Sequence, residues 1–309
     1  MDFLLSLAPL AGYTNSSIRR IYRKFGVDET LTEMISAKGI ILKNQKTLSM
    51  LNFTKEERPI GIQIFGSEKN DLLTASKFIE NNFKPDFINI NMGCPTKKII
   101  KNEAGAAFLK SPERMLDVST FLSSKLSISL TIKTRIGWDS NLPVSFFSKL
   151  SKTGISKIYL HGRTYEQGFS GSVNWPFIDT VAKKSSVKII GNGDVTSPYE
   201  ILNKKERFPH ISGIMIGRGA LSDPFIFLKA KCLLRKKTYN ISREDYKIFF
   251  NLLIDENINY NIIKRIMLFM VKRFKYARKM RNSIVLSKNI ENIKILMEEF
   301  LDKIEQCFL

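Results

Sequence analysis

Residues 187–219 read VKIIGNGDVTSPYEILNKKERFPHISGIMIGRG. A β-branched run, VKIIGN, ends in the turn GNGD. A longer segment follows, and a second run, GIMIGR, ends on Gly217 and Gly219. Short apolar runs bounded by turn residues read as buried strands. Working back toward the N-terminus, six more runs repeat the unit: LLSLAP (4–9), TLTEMIS (30–36), PIGIQIF (59–65), FININ (87–91), SLTIKTR (129–135) and KIYLHG (157–162). Amphipathic stretches such as DLLTASKFIENNF (71–83) and SPERMLDVSTFLSSKL (111–126) lie between them. Eight strands, each followed by a helical or loop segment, predict an α/β chain folded as a (β/α)8 TIM barrel. A doubly wound sheet is the alternative, and the regular spacing favours closure. Beyond the basic, acid-free segment KAKCLLRKKTYN (229–240) only helix-like patterns remain. The expected division is a catalytic barrel over residues 1–235 and a small all-helical domain over 236–309.

The 309 residues are 43% apolar and 25% charged, the balance of an ordinary soluble globular protein. Cys94, Cys232 and Cys307 are widely spaced and form no CxxC or Cys/His cluster. Neither a disulfide framework nor a metal site is expected, and a reducing cytoplasm is. The start, MDFLLSLAPLAG, has Asp2 where a signal peptide needs positive charge, so it reads as a buried strand. No stretch approaches the ~20 apolar residues of a membrane span. Lys and Arg number 49 against 29 Asp and Glu, a net charge of +20. That points to a polyanionic partner, nucleic acid ahead of an acidic membrane surface. A lysine-rich coding bias would give the same total without any partner.

In such a barrel the active site lies at the C-terminal ends of the strands. Here those ends carry Pro9, Leu10 and Ala11; Gln63; Asn91 and Cys94; Lys133 and Arg135; His161 and Arg163; Asn192, Gly193 and Asp194; and Gly217 with Arg218. Nearly every strand delivers a polar or glycine-rich end. The loops after strands seven and eight are the usual phosphate position, where glycines let backbone N–H groups approach and Arg218 adds a charge. Lys133, among apolar neighbours, is expected to point inward and stabilise negative charge on a ring, and Gln63 to meet the ring's polar edge. Phosphate, planar heterocycle and stabilised anion together describe FMN. Taken singly, each residue has a plain structural reading: a tight turn, a snorkelling lysine, a satisfied core amide, a core histidine.

Cys94 follows FININ and stands between Gly93 and Pro95, on a turn that lifts it from any packing face. A small buried hydrophobe is one reading and a reactive group the other.

Between Lys264 and Lys288 there are nine basic residues and no acidic one. A single helical projection places Lys264, Arg265, Lys272, Lys275, Arg278 and Lys279 on one face, with Ile263, Ile266, Met267, Met270, Phe274 and Ala277 on another. A solvated face would mix signs, so a surface tracking a phosphate backbone is expected.

LAPLAGYTN (7–15), EMISAKG (33–39), QIFGSE (63–68), INMGCP (90–95), KTRIGW (133–138), HGRTYEQGFSG (161–171), IGNGDV (190–195) and MIGRGAL (215–221) resemble the tRNA-dihydrouridine synthases, the bacterial branch most closely. The match runs in order over roughly residues 4–228. The resemblance implies a flavin barrel that reduces selected uridines of tRNA to 5,6-dihydrouridine, with NADPH recharging FMN. It assigns FMN contacts to Pro9, Leu10, Ala11, Gln63, Lys133, His161, Asn192, Gly193, Asp194, Gly217 and Arg218. Asn91 would hold the target base, and Arg135 and Arg163 are expected to face the RNA. So are Lys272, Lys275 and Lys279, which lie beyond the matched stretch and are placed there by the basic pattern. Cys94 would give the proton to carbon 5 after hydride reaches carbon 6, since a thiol is generally still protonated at pH 7. Leu10 stands where the family usually has methionine, and Asn15 where aspartate is common. No metal and no protein partner is implied. A small-molecule flavin oxidoreductase of the dihydroorotate or dihydropyrimidine type is the alternative, but it gives no reason for the basic helical module. An RNA-binding protein without catalysis is a third reading, against which Cys94, Lys133 and Asn91 argue.

Overall fold

The computed structural model describes residues 3–273 and 277–308. Nine parallel strands form one sheet: β1 Leu4–Leu7, β2 Glu29–Leu31, β3 Ile35–Ser36, β4 Ile60–Phe65, β5 Phe87–Met92, β6 Leu130–Arg135, β7 Lys157–His161, β8 Lys188–Asn192 and β9 Gly213–Ile216. β1 pairs with both β2 and β9, and β2 pairs with β4, so the sheet closes on itself. This is the expected (β/α)8 barrel, with one difference. The second stave, read as a single run, is two pieces, β2 and β3, both laid against β4. Side-chain bonding interrupts it. The Thr32 hydroxyl accepts the Gln63 amide (2.9 Å), and the Glu33 carboxylate turns out to accept the Gly12 amide.

Inside the barrel, Ala8, Leu31, Phe87, Tyr159, Ile190 and Met215 form a small apolar cluster. Near its N-terminal end Glu29 is buried, and it accepts hydrogen bonds from the Ser6 hydroxyl (2.7 Å), Tyr159 and Lys157. A buried carboxylate is tolerable only when it is paired and bonded in this way. The larger core lies between the strands and the surrounding helices.

After helix Ile226–Leu234 come helices Arg243–Asp255, Tyr260–Met270, Ala277–Leu286 and Ile290–Phe308. Among the described residues no strand follows β9. Arg243–Asp255 starts at a reciprocal cap: Asp245 accepts the Ser242 amide (2.7 Å) while Ser242 accepts the Asp245 amide (3.3 Å). These helices share the barrel's core. Phe25 and Phe225 meet edge to face (5.0 Å), and Phe249 packs on both. Arg20 pairs with Glu256. No helix among the described residues is long and apolar enough to cross a membrane.

The single basic helical face is corrected by the structure. The helix ends at Met270, a 3-10 turn follows over Val271–Arg273, and a new helix begins at Ala277. Burial of Met270 and Val271 beside the short helix Arg218–Ser222 turns the chain here. Two of the stripe's cations hold structure. Lys264 donates to the carbonyls of Val285 (2.7 Å) and Ser287 (2.9 Å), closing the end of helix Ala277–Leu286. Arg265 donates to the Gly12 carbonyl (2.8 Å) and lies over the Tyr13 ring (4.8 Å).

Candidate active site

The strand ends open into a cleft of about 310 Å³. Pro9, Leu10 and Ala11 enter from the loop after β1, Gln63 from β4, and Asn91 and Cys94 from β5 and its loop. Lys133 and Arg135 enter from β6, His161 from β7, Asn192, Gly193 and Asp194 from β8 and its loop, and Gly217 with Arg218 from the loop after β9. Parallel strands ending at one rim bring together residues scattered over two hundred positions. Asn15, where the resemblance has aspartate, caps helix Ser16–Lys24 by accepting the Ile18 amide (3.0 Å). Either residue can do this.

A chain of amides crosses the floor. Asn91 Oδ1 accepts the backbone amides of Gly93 (3.1 Å) and Cys94 (2.9 Å), and its Nδ2 donates to Gln63 Oε1 (2.9 Å). Gln63 Nε2 donates to Asn89 Oδ1 (2.7 Å), and Asn89 Nδ2 to Thr131 Oγ1 (2.8 Å). Each carboxamide fixes the next, so neither Gln63 nor Asn91 is free to turn. The Cys94 thiol lies at the rim, 3.2 Å from the Thr96 hydroxyl.

The walls are cationic. Burial, reinforced by Arg135, pulls the Lys133 ammonium down to about 8, and Lys133 Nζ lies 3.4 Å from Asn192 Oδ1. Burial and Arg163 lower Arg135 to about 10. His161 is pushed down to about 2, by burial first and then by Lys133, Arg135, Arg163 and Arg218, so its imidazole is neutral. Its Nδ1 is buried without a hydrogen-bond partner.

The two glycine loops pack directly on each other. A Cβ on Gly219 would fall 2.0 Å from the Val195 carbonyl oxygen, so only glycine lets the loops meet. Gly193 has φ +129°, and a Cβ there would reach 2.7 Å from Val173. Asp194 follows in the left-handed region (φ 45°), uncommon for a side-chain-bearing residue. Arg163 holds it there.

Arg163 is therefore not at the cleft. It is buried, pairs with Asp194, and donates to the carbonyls of Ser170 (3.0 Å) and Gly171. Arg135 lines the cleft yet uses its donors on the carbonyls of Gly93 (3.1 Å), Thr164 (2.8 Å) and Gly168 (3.0 Å), tying the Cys94 turn to the β7 loop. Lys272 and Lys279 are exposed on the helical segment, and Lys275 lies outside the described residues. Sequence reasoning passed over Met34, Thr96 and Phe169, which also line the cleft. All three sit inside or beside the motifs quoted above, but as apolar or small residues they carried no chemical signal. Among the described residues no group of three or more His, Cys, Asp or Glu is arranged to hold a metal ion.

Fold and site together define a (β/α)8-barrel protein whose strand ends gather cations, fixed carboxamides and a thiol. A family model described as dihydrouridine synthase matches residues 6–308. A probable tRNA-dihydrouridine synthase of Aquifex aeolicus is 42% identical over 228 residues, covering 73% of this chain and 72% of that protein. The tRNA-dihydrouridine synthase B of Pasteurella multocida is 32% identical over 232 residues, covering 74% and 69%. The chain belongs to the dihydrouridine synthase family, and by class it is an oxidoreductase.

Proposed function

We propose that this protein reduces uridines of tRNA to 5,6-dihydrouridine, with FMN as cofactor and NADPH as electron donor, in the cytoplasm. The observation that carries this reading is the convergence of Cys94, Asn91, Gln63 and Lys133 on one strand-end cleft that adjoins the two glycine loops. The residues fit FMN. The cleft offers the carboxamide of Gln63 and the cation of Lys133 to a ring edge, and His161 Nδ1 is a buried polar atom still lacking a partner. A second cavity of about 240 Å³ shares Asn192, Gly193, Asp194, Gly217 and Arg218 with the first. A ring and its phosphate arm suit two cavities joined in this way. When bound, FMN reduced by NADPH supplies the hydride that carbon 6 of the uracil takes up.

The chain's own residues do the rest. Asn91 holds the Gly93–Cys94 backbone, and Arg135 holds the same turn from the other side. The Cys94 thiol gives its proton to carbon 5, acting as a general acid. Lys133 balances negative charge on the ring system.

The barrel over residues 1–235 is the catalytic unit in this reading, and residues 236–309 grip RNA, with Lys275 and Lys279 meeting phosphates. One uridine leaves its stack to enter the cleft. The test is to reduce the purified protein anaerobically and follow its reoxidation by unmodified tRNA, free pyrimidines or neither. Rapid reoxidation by tRNA, with dihydrouridine in the product, is expected. Turnover of free pyrimidines alone would replace this reading with a small-molecule oxidoreductase.

A further inference from the structure

Lys272 belongs by sequence to the basic run assigned to RNA, and although it is exposed it also borders a cavity. It lines the smaller cavity, opposite the loops Asn192–Asp194 and Gly217–Gly219, together with Phe269. Its ammonium sits over the Phe269 ring, 4.9 Å from the centroid. Phe269 in turn packs edge to face on Tyr13 (5.9 Å), and Tyr13 lies under Arg265, which bonds the Gly12 carbonyl. The cation is thus carried to the cavity by a chain of contacts spanning the barrel's first loop and helix Tyr260–Met270. Among the described residues no carboxylate pairs with Lys272. The acid nearest the loops, Asp194, is already held by Arg163 and lies 3.5 Å from Arg218. Two cations, Arg218 and Lys272, therefore border one open cavity whose lining carries a single carboxylate, that of Asp194.

From this geometry we infer that Lys272 is a cofactor-phosphate residue, contributed by the helical segment to a phosphate seat whose other walls are the two barrel loops. This rests on the flavin reading above. A phosphate monoester carries a charge of about −1.5 to −2 and three acceptor oxygens, so it can bridge cations from two sides. An RNA phosphodiester offers the same anion chemistry with a single charge. The monoester is favoured because the cavity continues into the ring cleft through five shared residues. The phosphate then joins the helical segment to the barrel loops.

The experiment compares FMN with riboflavin, which lacks the phosphate. Flavin is stripped from the purified full-length protein, and both ligands are titrated by fluorescence quenching into wild type, Lys272→Gln and Lys272→Arg. Wild type should prefer FMN. Lys272→Gln should weaken FMN by about tenfold to a hundredfold, the range for losing one charge-assisted hydrogen bond. Riboflavin affinity should stay constant, and Lys272→Arg should keep most of the preference. A tRNA salt series on the loaded proteins forms the second arm. An unchanged FMN-to-riboflavin ratio, with the tRNA slope reduced by about one, would assign Lys272 to RNA and overturn the inference. An unchanged ratio with an unchanged slope overturns it as well. Failure of the wild type to bind either flavin would instead remove the flavin reading itself, and this inference with it.

Discussion

Asn91 Oδ1 accepts the backbone amides of both Gly93 and Cys94, at 3.1 and 2.9 Å, and so sets the direction of the thiol from the end of β5. Asn91→Ala leaves those amides and Gln63 Oε1 unbonded. The cost should be about 1–3 kcal/mol for each group that water cannot reach. Alkylation of Cys94 by iodoacetamide should change rate as the turn loosens. Asn91→Asp keeps the acceptor for both amides but loses the donor to Gln63 Oε1, and should hold the rate closer to wild type than alanine does. Equal rates in the alanine variant would show that Arg135 alone holds the turn.

Cys94→Ala should separate the two half-reactions. In the proposed mechanism flavin reduction by NADPH does not use the thiol and should keep its wild-type speed. Dihydrouridine formation should fall by roughly 10²–10⁴-fold, the usual worth of a positioned general acid. Single-turnover kinetics with tRNA give both rates, and full activity in the variant would move the proton source elsewhere.

Lys133 gives the pH dependence. Its ammonium is held near 8 against 10.5 for an ordinary lysine, so between those values the unfolded chain binds the extra proton. Stability therefore rises with pH across that window, and the buried cation costs stability below it. Lys133→Met should flatten the rise and stabilise the flavin-free protein at about pH 7, read as the urea midpoint at about pH 7 and about pH 9.5. Flavin affinity of the wild type should decline above pH 8, where the cation is lost. A midpoint insensitive to pH in the wild type would show that the ammonium is hydrated.

Arg163 does not itself line the cleft but clamps Asp194, which does, in the left-handed region. Arg163→Ala should weaken FMN by roughly fivefold, equivalent to about 1 kcal/mol for a pair whose carboxylate is half exposed. Riboflavin should be weakened less, because the loop faces the proposed phosphate seat. Equal loss for both flavins would mean that the whole β7–β8 region had shifted.

Lys279 is exposed on helix Ala277–Leu286. Reversing its charge should lower the salt dependence of tRNA binding by roughly one unit of slope and leave FMN content unchanged. Parallel salt plots would mark it as a solvated side chain.

The barrel was legible because its signal is local and repeated: apolar runs of strand length, each ended by turn residues, from LLSLAP to GIMIGR. The cleft residues were legible for the same reason, since closing a parallel barrel puts every C-terminal strand end on one rim. What a side chain does there is a matter of partners, and partners come from distant strands. Arg163 and Arg135 look alike in sequence, yet one clamps a loop behind the site and the other lines it. Lys264, Arg265 and Lys272 belong to one basic run. Packing divides them among a helix end, the barrel's first loop and a cavity wall. Helical periodicity assumes an unbroken helix, and burial of Met270 and Val271 ends it. The sequence by itself determined the class of fold, the rim and the chemical groups on it. Only the tertiary structure decided which cations are bound up in bonds and which face open space, because that depends on atoms brought together across 21 to 253 residues of chain.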